Sequence, residues 1–266
     1  MKVKIAKNGR KYLNLGCGMS FHKDWNNIDL IKNEDIIYYD LSKGIPFEKN
    51  IFDAVYASHL LEHLSYEQAL NFIKEIKRVL TQGGIVRIVV PDLETICREY
   101  IRNLELVSND SCKKNKQRYD WICLELLDQL VREKTGGMML EYLKSGDFDK
   151  DYIIQRTGEE LSNCFGQEQV EIDFAQKIKK FLKVFYRLFR KNNRVLDTER
   201  HKWMYDRYSL SELLKQAGFI NIEVKNYNDS RVLNWQDFNL DKSLTGESAR
   251  KPDSIYMEAV NGLLPK

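Results

Sequence analysis

The chain has 266 residues, of which 43% are hydrophobic, so it is long enough to bury a sizeable core as one elaborated domain or two smaller ones. Its 42 basic and 39 acidic residues give a formal net charge of +3, which excludes a global field that would demand nucleic acid or an anionic membrane. The five cysteines stand apart, without a CxxC pair or a nearby Cys/His set. We therefore predict reduced thiols, no disulfide framework and no metal site.

The sequence shows no targeting or membrane-spanning segment. No apolar run approaches the roughly 18 to 20 residues of a membrane span, and residues 1–11 are too polar for a signal peptide. We expect a cytoplasmic protein, with at most peripheral membrane contact.

The first ninety residues alternate short strands with helical spacing. Strands are predicted at residues 12–15, 27–30, 36–39, 54–56 and 85–90, and a helix at residues 66–80. This alternation predicts a parallel, doubly wound sheet. Only eight residues separate Gly18 from Asn27, so the first crossover has room for at most one helical turn.

After Pro91 the pattern changes, because residues 93–199 are charged, mostly helical in period and without a convincing core strand. We interpret them as an insertion that forms an acceptor-binding cap. Residues 1–92 and 200–266 would then form the core domain.

The C-terminal part returns to the sheet pattern. Ser209 is predicted to cap a helix that runs through Ala217 and ends at Gly218, and residues 220–224 and 255–260 are predicted strands, with a polar loop at 228–252. The predicted fold is α/β: a Rossmann-like, seven-stranded doubly wound sheet with a terminal antiparallel hairpin strand and a large helical insertion.

A glycine turn follows the first strand, in the sequence Leu-Asn-Leu-Gly-Cys-Gly. Gly16 and Gly18 lack side chains, so backbone N–H groups there can approach a ligand closely. A dinucleotide fingerprint would need a third glycine at position 21, which is Phe21, so hydride transfer loses its main support. A glycine turn that only packs is the alternative.

Two acids end the next two strands, Asp29 and Asp40. Carboxyl ends of parallel strands meet at one edge of a sheet, so both carboxylates should lie beside the glycine turn. Asp29 can accept hydrogen bonds from ribose hydroxyls, and Asp40 with Leu41 can meet the polar edge of an adenine. Ordinary loop-capping aspartates are the alternative.

These motifs, together with Trp-Asn-Asn-Ile-Asp before residue 30 and Phe-Asp-Ala-Val-Tyr-Ala-Ser-His-Leu-Leu-Glu-His at residues 52–63, resemble class I S-adenosylmethionine-dependent methyltransferases. The resemblance covers roughly residues 10–95 and resumes near residue 200. A His-x-Trp-Met-Tyr-Asp segment at residues 201–206 is similar to the branch found among bacterial surface-polysaccharide genes.

The resemblance implies S-adenosylmethionine as cofactor and a role for each motif. Gly16 and Gly18 would cradle its methionine part, Asp29 would bind the ribose, and Ser58 and His59 would close the sulfonium side. The adenine would lie against Asp40 and Leu41. The remaining residues expected to bind the cofactor are Asn14, Cys17 and Leu30.

Methyl transfer to a hydroxyl requires alignment, exclusion of water and removal of a proton. The candidates for the general base are His201, then Asp92, then His59, with Tyr205 as an orienting donor. A histidine that only orients the insertion is the alternative for His201. Asp53 opens its strand instead of ending it, so we interpret it as structural.

Residues 174–194 carry eight Lys or Arg residues and no acid, with apolar residues at helical spacing. Such a helix can pack on its own domain, lie on an anionic membrane surface or meet a second copy in a homodimer. Binding of RNA by its basic face is a further alternative.

We expect an enzyme that O-methylates a small or nucleotide-linked acceptor, such as a sugar, a nucleotide-sugar or a phosphate-linked decoration. By the resemblance, it would act in capsule or other surface-polysaccharide biosynthesis. Two alternatives stay open: an RNA methyltransferase, although no recognised RNA-binding module is visible, and a non-catalytic protein that binds S-adenosylmethionine.

Overall fold

The structure is a computed structural model that describes residues 3–158, 199–243 and 245–262. The chain divides into two compact units. The sheet unit consists of Met1–Pro91, Trp203–Lys242 and Ser254–Lys266, and the helical unit consists of Asp92–Lys202 and Ser243–Asp253. Asp92, residues 200–202 and Ser243–Asp253, which the sequence prediction places in the core domain, belong to the helical unit.

The sheet unit contains one seven-stranded sheet, which confirms the predicted fold class. Its strands are β1 Tyr12–Leu15, β2 Asn26–Asp29, β3 Ile36–Tyr38, β4 Phe52–Ser58, β5 Leu80–Pro91, β6 Ile220–Lys225 and β7 Ser254–Val260. Their order is β3-β2-β1-β4-β5-β7-β6, and β7 is antiparallel to both of its neighbours. The chain order reverses between β1 and β4, the topological switch point at which open α/β sheets bind ligands.

Several strand limits differ from the predicted ones. β4 is longer at both ends than residues 54–56, and β5 begins at Leu80 instead of residue 85. Phe52 pairs with Leu80 before the register shifts, so the end of the preceding helix leads directly into the sheet. Residues 16–25 contain no helix, in agreement with the short crossover predicted between β1 and β2.

Helix α1, Tyr66–Val79, follows its amphipathic sequence. Ser65 caps its N-terminus in a capping box with Gln68, and the basic residues Lys77 and Arg78 lie in its last turn. Its buried face consists of Ala69, Phe72, Ile73, Ile76 and Val79. This face packs in the main hydrophobic core with apolar side chains of β1, β4 and β5.

The helix after residue 200 begins earlier than predicted, so the prediction of Ser209 as its cap is wrong. Helix α6 spans Arg207–Gln216, and Asp206 is its N-cap. The Asp206 carboxylate accepts hydrogen bonds from the N–H groups of Tyr208 and Ser209, and the Asp206 N–H donates to the Ser209 hydroxyl oxygen. Asp206 and Ser209 thus form a capping box in which Asp206 stands where serine or threonine is usual, and Ser209 stands where glutamate or glutamine is usual.

The segment predicted as a long polar loop, residues 228–252, is partly packed, which corrects that prediction. It contains the short helix α7, Trp235–Phe238, and both end residues of α7 are buried. Trp25 makes edge-to-face contacts with both of them, at ring-centroid distances of 6.1 Å and 5.3 Å. Apolar contacts therefore hold α7 on the sheet unit.

The helical unit contains the helices α2 Leu93–Asn109, α3 Lys113–Val131, α4 Gly137–Ser145 and α5 Lys150–Thr157. Trp121, Leu143, Tyr152 and Ile153 form its apolar core. The basic stretch at residues 174–194 lies outside the described residues. Within the described ranges, no helix combines the length and apolar character that crossing a bilayer requires.

Candidate active site

The glycine turn after β1 has the backbone that its sequence predicts. Gly16 and Gly18 have φ angles of +63° and +54°, in the left-handed region that favours glycine. A Cβ on Gly16 would lie 3.0 Å from Cδ1 of Leu60, whereas a Cβ on Gly18 would meet no atom within 4 Å. The turn is therefore closed by Leu60 at Gly16 and open at Gly18.

Asp29, at the end of β2, is joined directly to this turn. The Gly18 N–H donates to Oδ2 of Asp29 at 2.8 Å. Burial raises the pKa of the Asp29 carboxyl, and hydrogen bonds from the backbone of Gly18, Leu30 and Ile31 oppose that rise. The structure thus brings the β2 acid and the glycine turn together. The Leu30 side chain beside them is exposed.

Asn14 lies buried beneath the turn. Its Nδ2 donates to the carbonyl of Ser20 at 3.1 Å and to Oδ1 of Asn27 at 3.3 Å. Its own Oδ1 is buried and accepts no hydrogen bond from the described residues. A buried acceptor without a donor is costly, so this oxygen is suited to a ligand or to ordered water.

Cys17 has a different role from its neighbours in the turn. Its side chain is buried against Ile31 and Ile36, and burial raises the pKa of the thiol to about 12. Its N–H donates to the carbonyl of Ile28 at 3.2 Å. The Cys17 side chain thus contributes packing behind the turn, because it is directed into this apolar cluster.

Asp40 caps the short 3-10 turn Leu41–Lys43. Its Oδ1 accepts hydrogen bonds from the N–H and the hydroxyl of Ser42, at 3.0 Å and 2.7 Å. Leu41 is partly buried against the main core. The loop-capping role that the sequence left open for Asp40 is therefore present in the structure.

Ser58 is the last residue of β4, and three atoms of the next residue, His59, make polar contacts. Its φ of +50° lies in the left-handed region, which is uncommon for histidine and marks a strained position. Its N–H donates to the carbonyl of Val89 at 2.8 Å. Nδ1 lies 3.2 Å from Oε1 of Glu62, and Nε2 lies 2.9 Å from Oγ of Ser254. The imidazole is therefore fixed at both nitrogen atoms.

The sequence analysis did not identify the two partners of His59. Glu62 lies in the 3-10 turn Leu61–His63, and its side chain is 1% exposed. The spacing of His59 and Glu62 within Ser-His-Leu-Leu-Glu-His could have indicated this pair. Ser254 is the first residue of β7 and is 195 positions away, so only the sheet register, in which it pairs with Pro91, brings it to His59.

Tyr205 is fully buried in the core of the sheet unit. Its hydroxyl forms no hydrogen bond with the described residues. Burial raises the pKa of Tyr205, and the negative charge of Glu62 raises it further. Tyr205 thus lies beside the buried carboxylate and away from solvent.

The other two base candidates belong to the helical unit. The Asp92 carboxylate caps α2, accepting from the N–H of Glu94 at 3.0 Å and from the hydroxyl of Thr95 at 2.6 Å. His201 is buried, and its N–H donates to the carbonyl of Gln129 at 2.9 Å. In the structure, the Asp92 carboxylate therefore serves as a helix cap.

Asp53 marks the opposite edge of the sheet, as its interpretation as structural requires. Its carboxylate accepts hydrogen bonds from the Arg10 side chain and the Lys11 N–H, both at 2.8 Å. A cavity of about 190 Å³ opens beside it, with Gly83 and Val232 on its walls. Ligand sites of α/β sheets lie at the other, carboxyl edge, where the glycine turn and His59 are found.

Residues 26–88 match the model of a family described as "Methyltransferase domain". This range runs from the start of β2 into β5 and contains Asp29, Asp40 and His59. An uncharacterized protein of the archaeon Methanocaldococcus jannaschii is 31% identical over 119 residues, which cover 38% of this chain and 50% of that protein. The chain therefore spans about half the length of this curated relative.

Solved structures with similar folds are distant in sequence. One from Haloferax volcanii, a methyltransferase in complex with the Trm112 activator, shows 10% identity and a TM-score of 0.38, covering 98% of this chain and 86% of that one. Phosphoethanolamine N-methyltransferase 2 of Haemonchus contortus, in complex with phosphomonomethylethanolamine and S-adenosylhomocysteine, shows 13% identity and a TM-score of 0.40, covering 98% and 51%.

A third structure, an S-adenosylmethionine-dependent methyltransferase of Thermotoga maritima, shows 11% identity and a TM-score of 0.39, covering 95% of this chain and 82% of that one. Residues 26–88 thus match a methyltransferase domain, and the sheet in which they lie has the strand order β3-β2-β1-β4-β5-β7-β6.

Proposed function

We propose that the protein transfers the methyl group of S-adenosylmethionine to a hydroxyl of a small acceptor. The observation that carries the proposal is the bond between the Gly18 N–H and the Asp29 carboxylate, with open space on the side where Gly18 lacks a Cβ. This bond joins a backbone turn beside the switch point, which a ligand can approach closely, to a carboxylate at the end of the neighbouring strand β2.

The residues at this edge suit the parts of the cofactor. The open side of Gly18 leaves room for its methionine part, and the carboxylate of Asp29 can accept hydrogen bonds from ribose hydroxyls. The buried Oδ1 of Asn14 offers an acceptor for an ammonium or N–H group. Bound there, the cofactor supplies an electrophilic methyl group on a sulfonium.

Two features favour a hydroxyl acceptor in surface-polysaccharide biosynthesis. His59 can take part in removing a hydroxyl proton, and the His-x-Trp-Met-Tyr-Asp segment resembles the polysaccharide-associated branch. Sugars, nucleotide-sugars and phosphate-linked decorations of capsule or another glycan are therefore the acceptors to test first. We assign the choice of acceptor to the helical unit, because the features that suit the cofactor all belong to the sheet unit.

Calorimetric titration with S-adenosylmethionine tests the cofactor site. Gly18→Asn should abolish measurable binding, because asparagine tolerates a positive φ while its side chain fills the open space. Gly9→Asn is the matched control, since Gly9 has a φ of +79° and also no atom near a Cβ. Unchanged affinity in Gly18→Asn would refute the assigned cofactor site.

The acceptor class is tested with methyl-labelled S-adenosylmethionine. Nucleotide-sugars, phosphate-linked glycans and total RNA serve as parallel acceptors, and product mass identifies the labelled one. Label in the sugar fractions supports the proposal. Salt-sensitive label in RNA would contradict it and favour an RNA methyltransferase. Tight cofactor binding with no labelled product in any fraction would favour a non-catalytic binding protein.

A further inference from the structure

We infer that Glu62, His59 and Ser254 form a proton-transfer chain in which Ser254 takes the acceptor's proton and His59 receives the proton of Ser254. This inference rests on the proposed function. It assigns roles to Glu62 and Ser254 and gives His59 a defined place in the reaction, between a buried carboxylate and a hydroxyl.

The proton-transfer chain has a buried end at Glu62 and an accessible end at Ser254. The Glu62 side chain is 1% exposed, whereas the His59 side chain is 19% exposed and Ser254 is partly exposed. A proton that enters at the accessible hydroxyl would therefore move inward, toward the buried negative charge. This direction suits an acceptor that binds on the open side of the sheet edge.

Glu62 fixes the protonation state of the imidazole. Its buried carboxylate oxygen lies 3.2 Å from Nδ1, and the negative charge of this carboxylate favours the neutral tautomer that carries its proton on Nδ1. Nε2 then holds a lone pair directed at Oγ of Ser254, 2.9 Å away, and the hydroxyl donates to it. The same order of carboxylate, imidazole and hydroxyl activates a hydroxyl in serine hydrolases.

The backbone of His59 holds this geometry at a cost in strain. A histidine with a φ of +50° persists only where its surroundings over-determine it, and such positions cluster at functional sites. Val89 on β5 holds the backbone N–H, and β7 supplies Ser254. Residues of β5 and β7 thus both hold His59 at the end of β4.

The position of the proton-transfer chain beside the glycine turn suits methyl transfer. Leu60, the next residue after His59, packs against the position that a Cβ on Gly16 would occupy. Leu15, which precedes Gly16, pairs with Ala57 near the end of β4. The proton chain and the glycine turn therefore begin at adjacent strand ends on either side of the switch point.

The proposed step transfers one methyl group and one proton. The acceptor oxygen forms a bond to the methyl carbon as the bond from that carbon to sulfur breaks. Ser254 Oγ accepts the acceptor's proton while its own hydroxyl proton passes to Nε2 of His59. The imidazolium is then paired with the Glu62 carboxylate, so the positive charge has moved from the sulfonium to His59. The products are a methyl ether and S-adenosylhomocysteine.

Nitrogen-15 NMR of the imidazole rings tests the chain without any acceptor. The protein has four histidines, so the signal of His59 is the one that disappears in His59→Asn. Asparagine is chosen because it tolerates the positive φ. We expect the Nδ1–H tautomer in the wild type and a loss of this preference in Glu62→Gln. A wild-type His59 that carries its proton on Nε2, or on both nitrogens at the pH of turnover, would overturn the inference.

Turnover of the acceptor found in the labelling screen provides the second test. Ser254→Ala should lower kcat roughly 10²-fold or more, within the usual range of general-base assistance, and should leave the affinity for S-adenosylmethionine unchanged. Ser254→Thr keeps the hydroxyl and should stay within a few fold of wild type. Ser108→Ala, which removes an exposed hydroxyl on α2, is the control.

The two tests distinguish a failure of this inference from a failure of the proposed function. Active wild-type protein with an equally active Ser254→Ala variant would remove Ser254 from the reaction and overturn the chain. Wild-type protein that methylates no acceptor would count against the proposed function, and the tautomer of His59 then decides the proton chain alone.

Discussion

Two buried carboxylate clusters in the sheet unit are built in opposite ways. In the first, Arg87 is fully buried and donates to Asp241 at 2.7 Å and to Glu258 at 2.8 Å. Two further N–H groups donate to the carbonyls of Asn226 and Asp229, both at 2.9 Å. In the second cluster, Glu62 faces an imidazole instead of a fixed cation, and that imidazole leads to a partly exposed hydroxyl.

The difference separates a cluster that supports the fold from the cluster to which we assign chemistry. Arg87 cannot lose its proton, its neighbours are saturated, and its guanidinium stacks 4.7 Å from the ring centre of Trp235. This closed network fixes the residues around α7 to β5 and β7. The Glu62 cluster contains a group that can change protonation state, so it can act in a reaction without unfolding its surroundings.

Removing the central cation should have the largest effect. Arg87→Met leaves Asp241 and Glu258 as uncompensated buried charges, so we expect the free energy of unfolding to fall by about 3 to 5 kcal/mol. Urea denaturation measures it. The control Arg98→Met breaks an exposed helical pair with Glu94 and should cost about 0.3 to 0.5 kcal/mol. Equal losses in both variants would contradict a closed network.

The acid of the glycine turn should have the next largest effect, on binding instead of folding. Asp29→Ala removes a carboxylate proposed to bond the ribose, so the affinity for S-adenosylmethionine should fall by roughly 1.5 to 3 kcal/mol. Calorimetry measures it. Asp35→Ala, which removes an exposed partner of Lys4, is the control. An affinity that stays the same in Asp29→Ala would show that Asp29 serves only to hold the turn.

Sequence patterns within a few adjacent residues predicted much of this arrangement. Contacts between residues far apart in the chain were not predicted. The glycine pair, the strand ends at Asp29 and Asp40, and the face of α1 are visible in a few adjacent residues. An arginine within the apolar run Ile-Val-Arg-Ile-Val-Val could have indicated a buried cation. Its partners Asp241 and Glu258 lie 154 and 171 positions away, however. The antiparallel pairing of β5 with β7 brings Glu258 to Arg87, and the segment after α7 brings Asp241.

Asp253 in the helical unit offers an intermediate case. Its Oδ1 pairs with Arg156 at 2.6 Å, while its buried Oδ2 accepts no hydrogen bond from the described residues. Burial raises the pKa of this carboxyl to about 8 from an ordinary value of 3.8, and Glu125 adds to the rise while Arg156 opposes it. This carboxylate is thus less completely paired than those around Arg87.

The raised pKa predicts the sign of a pH dependence. Between pH 4 and 8 the folded state binds a proton that the unfolded state releases, so stability falls as the pH rises through this window and levels off above it. The slope is at most about 1.4 kcal/mol per pH unit. Asp253→Asn should flatten the thermal unfolding profile across this range, unlike the exposed control Asp151→Asn. A profile that keeps its slope in Asp253→Asn would assign the dependence to other groups.

The smallest effect on stability is expected from a substitution of Glu62. Glu62→Gln replaces a buried charge by an amide of nearly the same shape, and its ring partner can be neutral, so no uncompensated charge is left behind. We expect the free energy of unfolding to change by less than about 1 kcal/mol, the net worth of a typical hydrogen bond. Asp241→Asn, the matched change in the closed network, should cost more because Arg87 stays charged.

Turnover should show the reverse order, with a loss of up to roughly 10⁴-fold in Glu62→Gln if the imidazole changes tautomer. Denaturation and initial rates measured on the same two variants decide it. A Glu62→Gln protein that is strongly destabilised but fully active would place Glu62 with the structural carboxylates.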